Sequence, residues 1–308
     1  MRISLLLIVS IFLIGCSSDS KVWRVFQEKD LLEHPPAKRC GECHQEIYKQ
    51  WKLSRHSQAW ISPTYKKATD NYSKTRCLKC HAPLEMSLNT PPKLRNKHQE
   101  DGVNCVSCHF TSVDKAMHGP YDVFSPPHLS KKDLRFRKSV ACASCHRQTY
   151  NQWKKTGVKT SCQECHMQPV KKGKLIQKFP FNYLHFAKLI YNHQFPTGKI
   201  KSEELQAFTK KEKEKLILIL INTSVPHNLP TADNGNPKLY VKVTFFNKGK
   251  EVDKQNYIIT PKYALHYNEK YYLEFFTFYT FDKVKINIYR KLSWQEEKQL
   301  IKSFTTKL

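Results

Sequence analysis

Acidic residues are scarce in this chain. Among 308 residues, 26 Asp and Glu stand against 52 Lys and Arg, a formal net charge of +26. Such a surface attracts acidic proteins, anionic lipid headgroups or nucleic acid. Nothing else in the sequence supports nucleic acid, which leaves the first two. A bilayer-spanning stretch is missing as well. Ile3 to Ile14 is apolar apart from Ser4 and Ser10, and it is too short to cross. Hydrophobic residues make up 40% and charged residues 25%, which fits a soluble globular protein rather than a membrane bundle. The third lack is of core material. Up to about residue 200 there is no long apolar helix and no strand-rich run, only loops marked by Pro91-Pro92, Gly119-Pro120 and Pro126-Pro127. So few apolar side chains cannot enclose such loops by themselves.

The N-terminus reads as a targeting segment. Arg2 precedes the apolar run, which ends in Leu13-Ile14-Gly15-Cys16 followed by Ser17-Ser18. This resembles the bacterial lipobox, in which cleavage falls before a Cys that is then lipidated. The resemblance implies a signal peptide over 1–15, lipidation at Cys16 and a linker over 16–37. An ordinary secretory signal is the alternative. A lipid anchor would hold the folded part in water beside a membrane. Ser17 favours the periplasmic face of an outer membrane, or the cell surface.

With Cys16 set aside, ten of the eleven cysteines remain, and none is left over. They form Cys40-Gly-Glu-Cys43-His44, Cys77-Leu-Lys-Cys80-His81, Cys105-Val-Ser-Cys108-His109, Cys142-Ala-Ser-Cys145-His146 and Cys162-Gln-Glu-Cys165-His166. C-x-x-C-H is the attachment signature of c-type haem. The two thiols add to the two vinyl groups on one side of the porphyrin, so they must lie about one helical turn apart. The next His then takes an axial iron position. Structural zinc does not need a His after every pair. Disulfides across such tiny loops would constrain almost nothing. Redox-active C-x-x-C pairs usually sit singly on a thioredoxin-like unit. The expectation is five haems c, with the porphyrins themselves as the core and folding conditional on their attachment.

The predicted fold is α+β: a loop-rich, mainly helical multihaem domain over 38–200, then a small antiparallel β-sandwich over 201–308. Short helical patches serve the first part, as at Gln45 to His56. Lys201 to Lys215 reads as a charged, helical linker. Leu216 to Ile221 reads as a continuously apolar, buried strand, and Leu239, Val241, Val243 and Phe245 alternate with period two. Tyr257 to Thr260, Tyr271 to Tyr279 and Val284 to Tyr289 read as further strands, in a total of about five to seven. Asn247-Lys-Gly-Lys reads as a hairpin turn, and Trp294 to Phe304 as a closing helix.

Beyond the five motifs, nine His remain: His34, His56, His98, His118, His128, His185, His193, His227 and His266. Five haems with two His ligands each need five of them. Met is too rare to be a general ligand, with only Met86, Met117 and Met167 outside the signal.

The haem region resembles the cytochrome c-554 family and its relatives, the multihaem cytochromes associated with hydroxylamine oxidoreductase. The resemblance rests on Trp51-Lys-Leu-Ser54-Arg-His56 after the first motif and on Asp101-Gly102-Val103-Asn before the third. It rests also on Pro127-His128 ahead of Ser139-Val-Ala-Cys142, His193-Gln-Phe-Pro-Thr-Gly198 and His227-Asn-Leu-Pro230-Thr231. It implies His56, His128, His193 and His227 as distal ligands. His118 is the expected fifth, with His185 and His34 as rivals. His98 and His266 read as surface residues. The chain departs from the namesake in having five motifs instead of four, and in Ala232 where the family often has Gly.

Two functions follow. Bis-His iron has no open position, so it passes electrons and binds no substrate. That describes a carrier docking on acidic redox partners through its basic surface. The alternative is an oxidoreductase with one open haem acting on a small nitrogen or sulfur compound. Tyr48, Tyr65, Tyr121 or a spare His would then serve as its acid or base. The C-x-x-C-K motif of the multihaem nitrite reductases is lacking.

Overall fold

The structure is a computed structural model that describes residues 31–88, 90–123, 127–198, 200 and 202–308. The expected signal segment and Cys16 lie outside the described residues. Within them, no helix is long and apolar enough to cross a membrane. The chain divides into two compact units. The first takes residues up to Ser144 together with Ser161–Pro196, the second Cys145–Thr160 together with Thr197–Leu308.

The first unit is built from short pieces. Its α-helices are Ala37–Gly41, Gln45–Lys52, Pro63–Ala68, Thr75–His81, Cys105–His109 and Cys162–His166. Local capping starts two of them. The Asn104 side chain accepts from Ser107 N at 3.1 Å, and Ser161 with Glu164 forms a capping box. The expected patch at Gln45 becomes a helix with Trp51 buried, and the indole N–H donates to Val103 O at 2.8 Å. Small strands are present that the sequence does not advertise. Strand β1 (Phe110–Thr111) pairs antiparallel with β2 (Ala116–Gly119), which pairs parallel with β3 (Ser130–Lys132). Strand β4 (Pro169–Gly173) pairs antiparallel with β5 (Lys188–Tyr191). The buried apolar residues of this unit are few, and half of them are small: Ala37, Ala82, Val106, Ala116 and Ala143, beside Trp51, Tyr65, Ile176, Phe181 and Ile190.

The second unit is a conventional β-sandwich. Its strands are β6 (Leu205–Glu212), β7 (Lys215–Asn222), β8 (Lys238–Asn247), β9 (Lys250–Ile259), β10 (Lys270–Phe276), β11 (Lys283–Lys291) and β12 (Gln299–Lys307). They form a three-stranded sheet in the order β10-β7-β6 and a four-stranded sheet in the order β12-β11-β8-β9. Neighbouring strands are antiparallel. Alternate side chains of β7, β8 and β11 point inward, and the hydrophobic core runs from Leu205 to Ile301. The β8–β9 hairpin turns through Lys248 and Gly249, both at positive φ, as a two-residue primed turn requires.

Three expectations are corrected here. Lys201 to Lys215 is no helix: after a 3-10 turn at Ser202–Glu204 it forms β6, because Leu205 and Ala207 alternate inward against β7. Trp294 to Phe304 is no helix either, since Gln299–Lys307 pairs with β11 as β12, with Ile301 buried at a bulge in the register. Leu216 to Ile221 is buried on one face, not two, with Ile217, Ile219 and Ile221 only half-buried. The second unit also takes in the helix Arg147–Thr156, where the sequence suggested a break near residue 200. Asp233 holds that helix by accepting from Gln148 N at 2.6 Å and Thr149 Oγ1 at 3.0 Å. Gln152 accepts from Asn228 N and Thr231 Oγ1 at 3.2 and 2.8 Å.

Candidate haem-binding site

Four of the five motif histidines set Nδ1 against a backbone carbonyl, and the fifth has a carboxylate nearby. Nδ1 of His44 faces Leu175 O at 2.9 Å, and that of His81 faces Ala59 O at 2.6 Å. Nδ1 of His109 faces His118 O at 2.6 Å, and that of His166 faces Pro196 O at 2.9 Å. His146 Nδ1 lies 3.6 Å from Asp233 Oδ2. A carbonyl or carboxylate oxygen can only accept, so the ring proton sits on Nδ1. The Nε2 lone pair is thereby left for a metal, in the orientation that the outer acceptor fixes. None of the ten motif cysteines is in a disulfide. Cys40 of the first motif lies beside Cys105 of the third, and Cys142 of the fourth beside Cys162 of the fifth.

Two of the expected distal histidines face motif histidines at a telling distance. The rings of His44 and His128 have centroids 6.2 Å apart and are tilted by 31°. Those of His109 and His193 are 6.3 Å apart, tilted by 32°. Two metal–imidazole bonds of about 2 Å, plus the two half-rings, add to about 6 Å. Each separation matches what one iron held by both imidazoles would require. Burial drives the pKa of His44 and of His193 down to about 4, and lowers those of His109 and His128. All four rings are thus neutral near pH 7, as ligands must be. His193 Nδ1 donates to Tyr191 O at 2.7 Å, and its backbone N–H donates to Gln50 Oε1 at 2.9 Å.

His56 packs edge-on against Phe195, with centroids 4.3 Å apart. Its carbonyl accepts from Val103 N at 3.0 Å. Gly102 makes that approach possible. Its φ is +62°, and a Cβ there would meet His56 O at 2.3 Å, so only glycine fits. His227 belongs to the second unit, as His146 does, and its Nδ1 donates to Asn228 O at 2.9 Å.

His118, the expected fifth distal ligand, has Nε2 3.1 Å from both oxygens of Asp114, and its Nδ1 is buried without a hydrogen-bond partner among the described residues, 3.5 Å from Asp133 Oδ2. Its carbonyl accepts from His109 Nδ1 at 2.6 Å. The rival His185 is 7% exposed, and its Nε2 is buried with no hydrogen-bond partner among the described residues. His34 likewise has a buried, unpartnered Nδ1, and sits edge-on to Phe110. His98 ion-pairs with Glu100, and His266 is exposed, as surface residues would.

The donor set argues for porphyrin-held iron over a bare ion. Among the described residues no three His, Cys, Asp or Glu gather as a zinc site needs. Imidazole pairs suffice when a porphyrin supplies the other four ligands.

Comparison with known proteins agrees. Residues 39–110 match the family model described as "Cytochrome c554 and c-prime". The fold is that of a penta-heme cytochrome c552 from Thermochromatium tepidum. Its TM-score is 0.59 at 17% identity, covering 90% of this chain and 100% of that one. A DUF3823 family protein from Bacteroides ovatus aligns over 33% of this chain and 52% of its own, at 7% identity and a TM-score of 0.23, too slight to carry an argument. No curated protein matches. The matched segment, the shared fold and the geometry support a multihaem c-type cytochrome.

Proposed function

We propose that this chain is an exported electron carrier that passes electrons through five covalently bound haems c. The observation that carries the reading is the two close imidazole pairs, His44 with His128 and His109 with His193, each at a centroid separation that suits one iron. His44, His81, His109, His146 and His166 are the proximal ligands, and the ten motif cysteines form the thioethers. His56, His128, His193 and His227 are distal ligands, and His118 or its rival His185, each with a buried unpartnered ring nitrogen among the described residues, is the fifth. The haems supply the one-electron chemistry when bound. The chain's own part is to hold neutral imidazoles on both sides, exclude exchangeable ligands and bring attachment points together. The Cys40–Cys105 and Cys142–Cys162 contacts favour short hops between first and third, and between fourth and fifth, sites. The lipobox-like segment favours a lipid anchor at Cys16 outside the cytoplasm. The +26 charge favours acidic redox partners met in weak, salt-sensitive encounters.

One observation favours an open second site. The Tyr65 ring stacks on His81 at 3.7 Å and 9°, and its buried hydroxyl has no hydrogen-bond partner among the described residues. Such a hydroxyl is a hydrogen-bond donor for a small ligand, since burial pushes its pKa up and keeps it protonated. The test is low-temperature EPR and optical spectra of the ferric protein, with and without hydroxylamine, nitrite or cyanide, alongside a haem count per chain. Five low-spin haems indifferent to every small ligand are expected of the carrier. One ligand-sensitive high-spin haem, altered by Tyr65→Phe, would establish the oxidoreductase instead.

A further inference from the structure

Arg95 is the largest fully buried side chain of the described residues, at 0% exposure. It has five N–H groups, and every one is used. Nε donates to Lys97 O at 2.8 Å, and Nη1 to Pro83 O at 3.0 Å and Ser107 Oγ at 2.6 Å. Nη2 donates to His98 O at 2.7 Å and Gly102 O at 2.8 Å. All five acceptors are neutral. A buried guanidinium normally faces a carboxylate, because a charge taken out of water must otherwise be left uncompensated. Here the nearby acids are turned elsewhere: Asp101 Oδ2 accepts from Ala37 N, and Glu100 pairs with His98. Burial lowers the Arg95 pKa while Asp101 and Glu100 raise it, and a guanidinium keeps its proton through such shifts. The result is a permanent positive charge, hydrogen-bonded in full yet without a counter-ion.

Its place gives it a use. Pro83 lies two residues past His81, the end of the second motif, and Ser107 lies between Cys105 and Cys108 of the third. We propose that Arg95 is a fixed cation that stabilises the reduced state of the haem iron at the second and third motifs, so raising the potential at which they accept an electron. Reduction of ferric to ferrous iron adds one negative charge and moves no proton, so a buried cation beside it favours the reduced side at every pH. The inference rests on the reading of these motifs as haem sites. A purely mechanical role is the competitor, because a five-donor fork also ties residues 83, 97–102 and 107 together.

Charge and fork can be separated. Haem-loaded wild-type protein, Arg95→Lys and Arg95→Gln are titrated with dithionite under optical detection, with haem content and EPR recorded on the same samples. The lysine keeps the charge and loses the fork, whereas the glutamine loses both. The expected result is a fall in at least one midpoint potential in Arg95→Gln, with potentials near wild type in Arg95→Lys. Unchanged potentials in Arg95→Gln, or equal shifts in both variants, overturn the proposal and leave the clamp. If Arg95→Gln yields no loaded protein, Ser107→Asp keeps the guanidinium and sets a carboxylate against Nη1. The same fall is then expected, and unchanged potentials overturn the proposal. A wild-type sample without five haems would instead defeat the functional reading, which the haem count reads separately.

Discussion

In the second unit, Leu216, Leu218, Leu220, Val241, Val243, Ile286 and Ile288 all lie at 0% exposure in one continuous core. In the first unit the residues buried to that degree include Ala82, Ala116 and Ala143, together with a charged arginine. A fully buried Leu or Ile contributes about 1.5–3 kcal/mol, and an Ala far less. The sandwich therefore holds the material for its own stability, and the first unit does not. What that unit has in quantity is polar fixing: capped helix starts, carbonyls aimed at imidazoles, and Arg95 with five acceptors. Those contacts specify geometry but bury little apolar surface. On the proposed reading the missing surface would come from the porphyrins, and the cofactor would be the core of that unit.

The largest test of this contrast is to deny the chain its haems by replacing all ten motif cysteines with alanine. Hydrogen exchange read by mass spectrometry should show amide protection lost across 31–144 and 161–196, and kept in β6 to β12. Protection surviving in the first unit would mean that protein contacts suffice there. The converse change is Leu218→Ala in the sandwich. It should cost about 2–5 kcal/mol by opening a cavity, shifting denaturant unfolding of the strands while the native haem spectrum stays as it was. Next comes Gly102→Ala, strained by its positive φ and by the approach of His56 O. It should cost more than about 1 kcal/mol and broaden the signal of a single haem. His193→Ala should disturb stability least of these yet turn one haem high-spin and open to cyanide. An unchanged spectrum would remove His193 from the ligand set.

How much of this was legible in the sequence differs between the units for a physical reason. The sandwich strands announce themselves because period-two burial must be written in the side chains, as Leu239 to Phe245 shows. The misreadings, β6 and β12, are edge strands whose many lysines face water, and Lys-rich segments favour helix when read alone. In the haem unit the covalent sites were plain from C-x-x-C-H, since thioether chemistry leaves no freedom in spacing. The acceptors of the imidazole N–H groups were not, because Leu175, Ala59 and Pro196 use backbone oxygens that every residue has. The surroundings of His118 were hidden for a related reason: Asp133 is brought to its ring by the pairing of β2 with β3, and Asp114 by the turn between β1 and β2. Arg95 gave no signal at all, as one arginine among 52 basic residues.

Acid should separate the two units by a smaller but readable amount. His44 and His193 are held at about 4 by burial, against 6.5 for an exposed imidazole. Between those values the unfolded chain binds protons that the folded unit refuses, so stability must fall as pH falls through that window and level off below it. Iron on the same nitrogens would keep them unprotonated to still lower pH, so in the haem-loaded protein the loss keeps its sign and extends below that window. The sandwich unit depends on carboxylates instead. For Asp253, burial acts to raise the pKa, but bonds from Gln255, Thr277 and Lys254 outweigh it and leave the group below 3.8. Asp233 is lowered likewise, burial being outweighed by His146, Gln148 and Thr149. A depressed carboxylate stabilises above its unfolded pKa and is lost only as pH drops towards the folded one. Denaturant melts from neutral pH down to about pH 3 should therefore show the Soret midpoint declining first, above about pH 4, and strand protection only below it. Coincident declines would mean that the two units unfold as one, and the comparison between them would have to be given up.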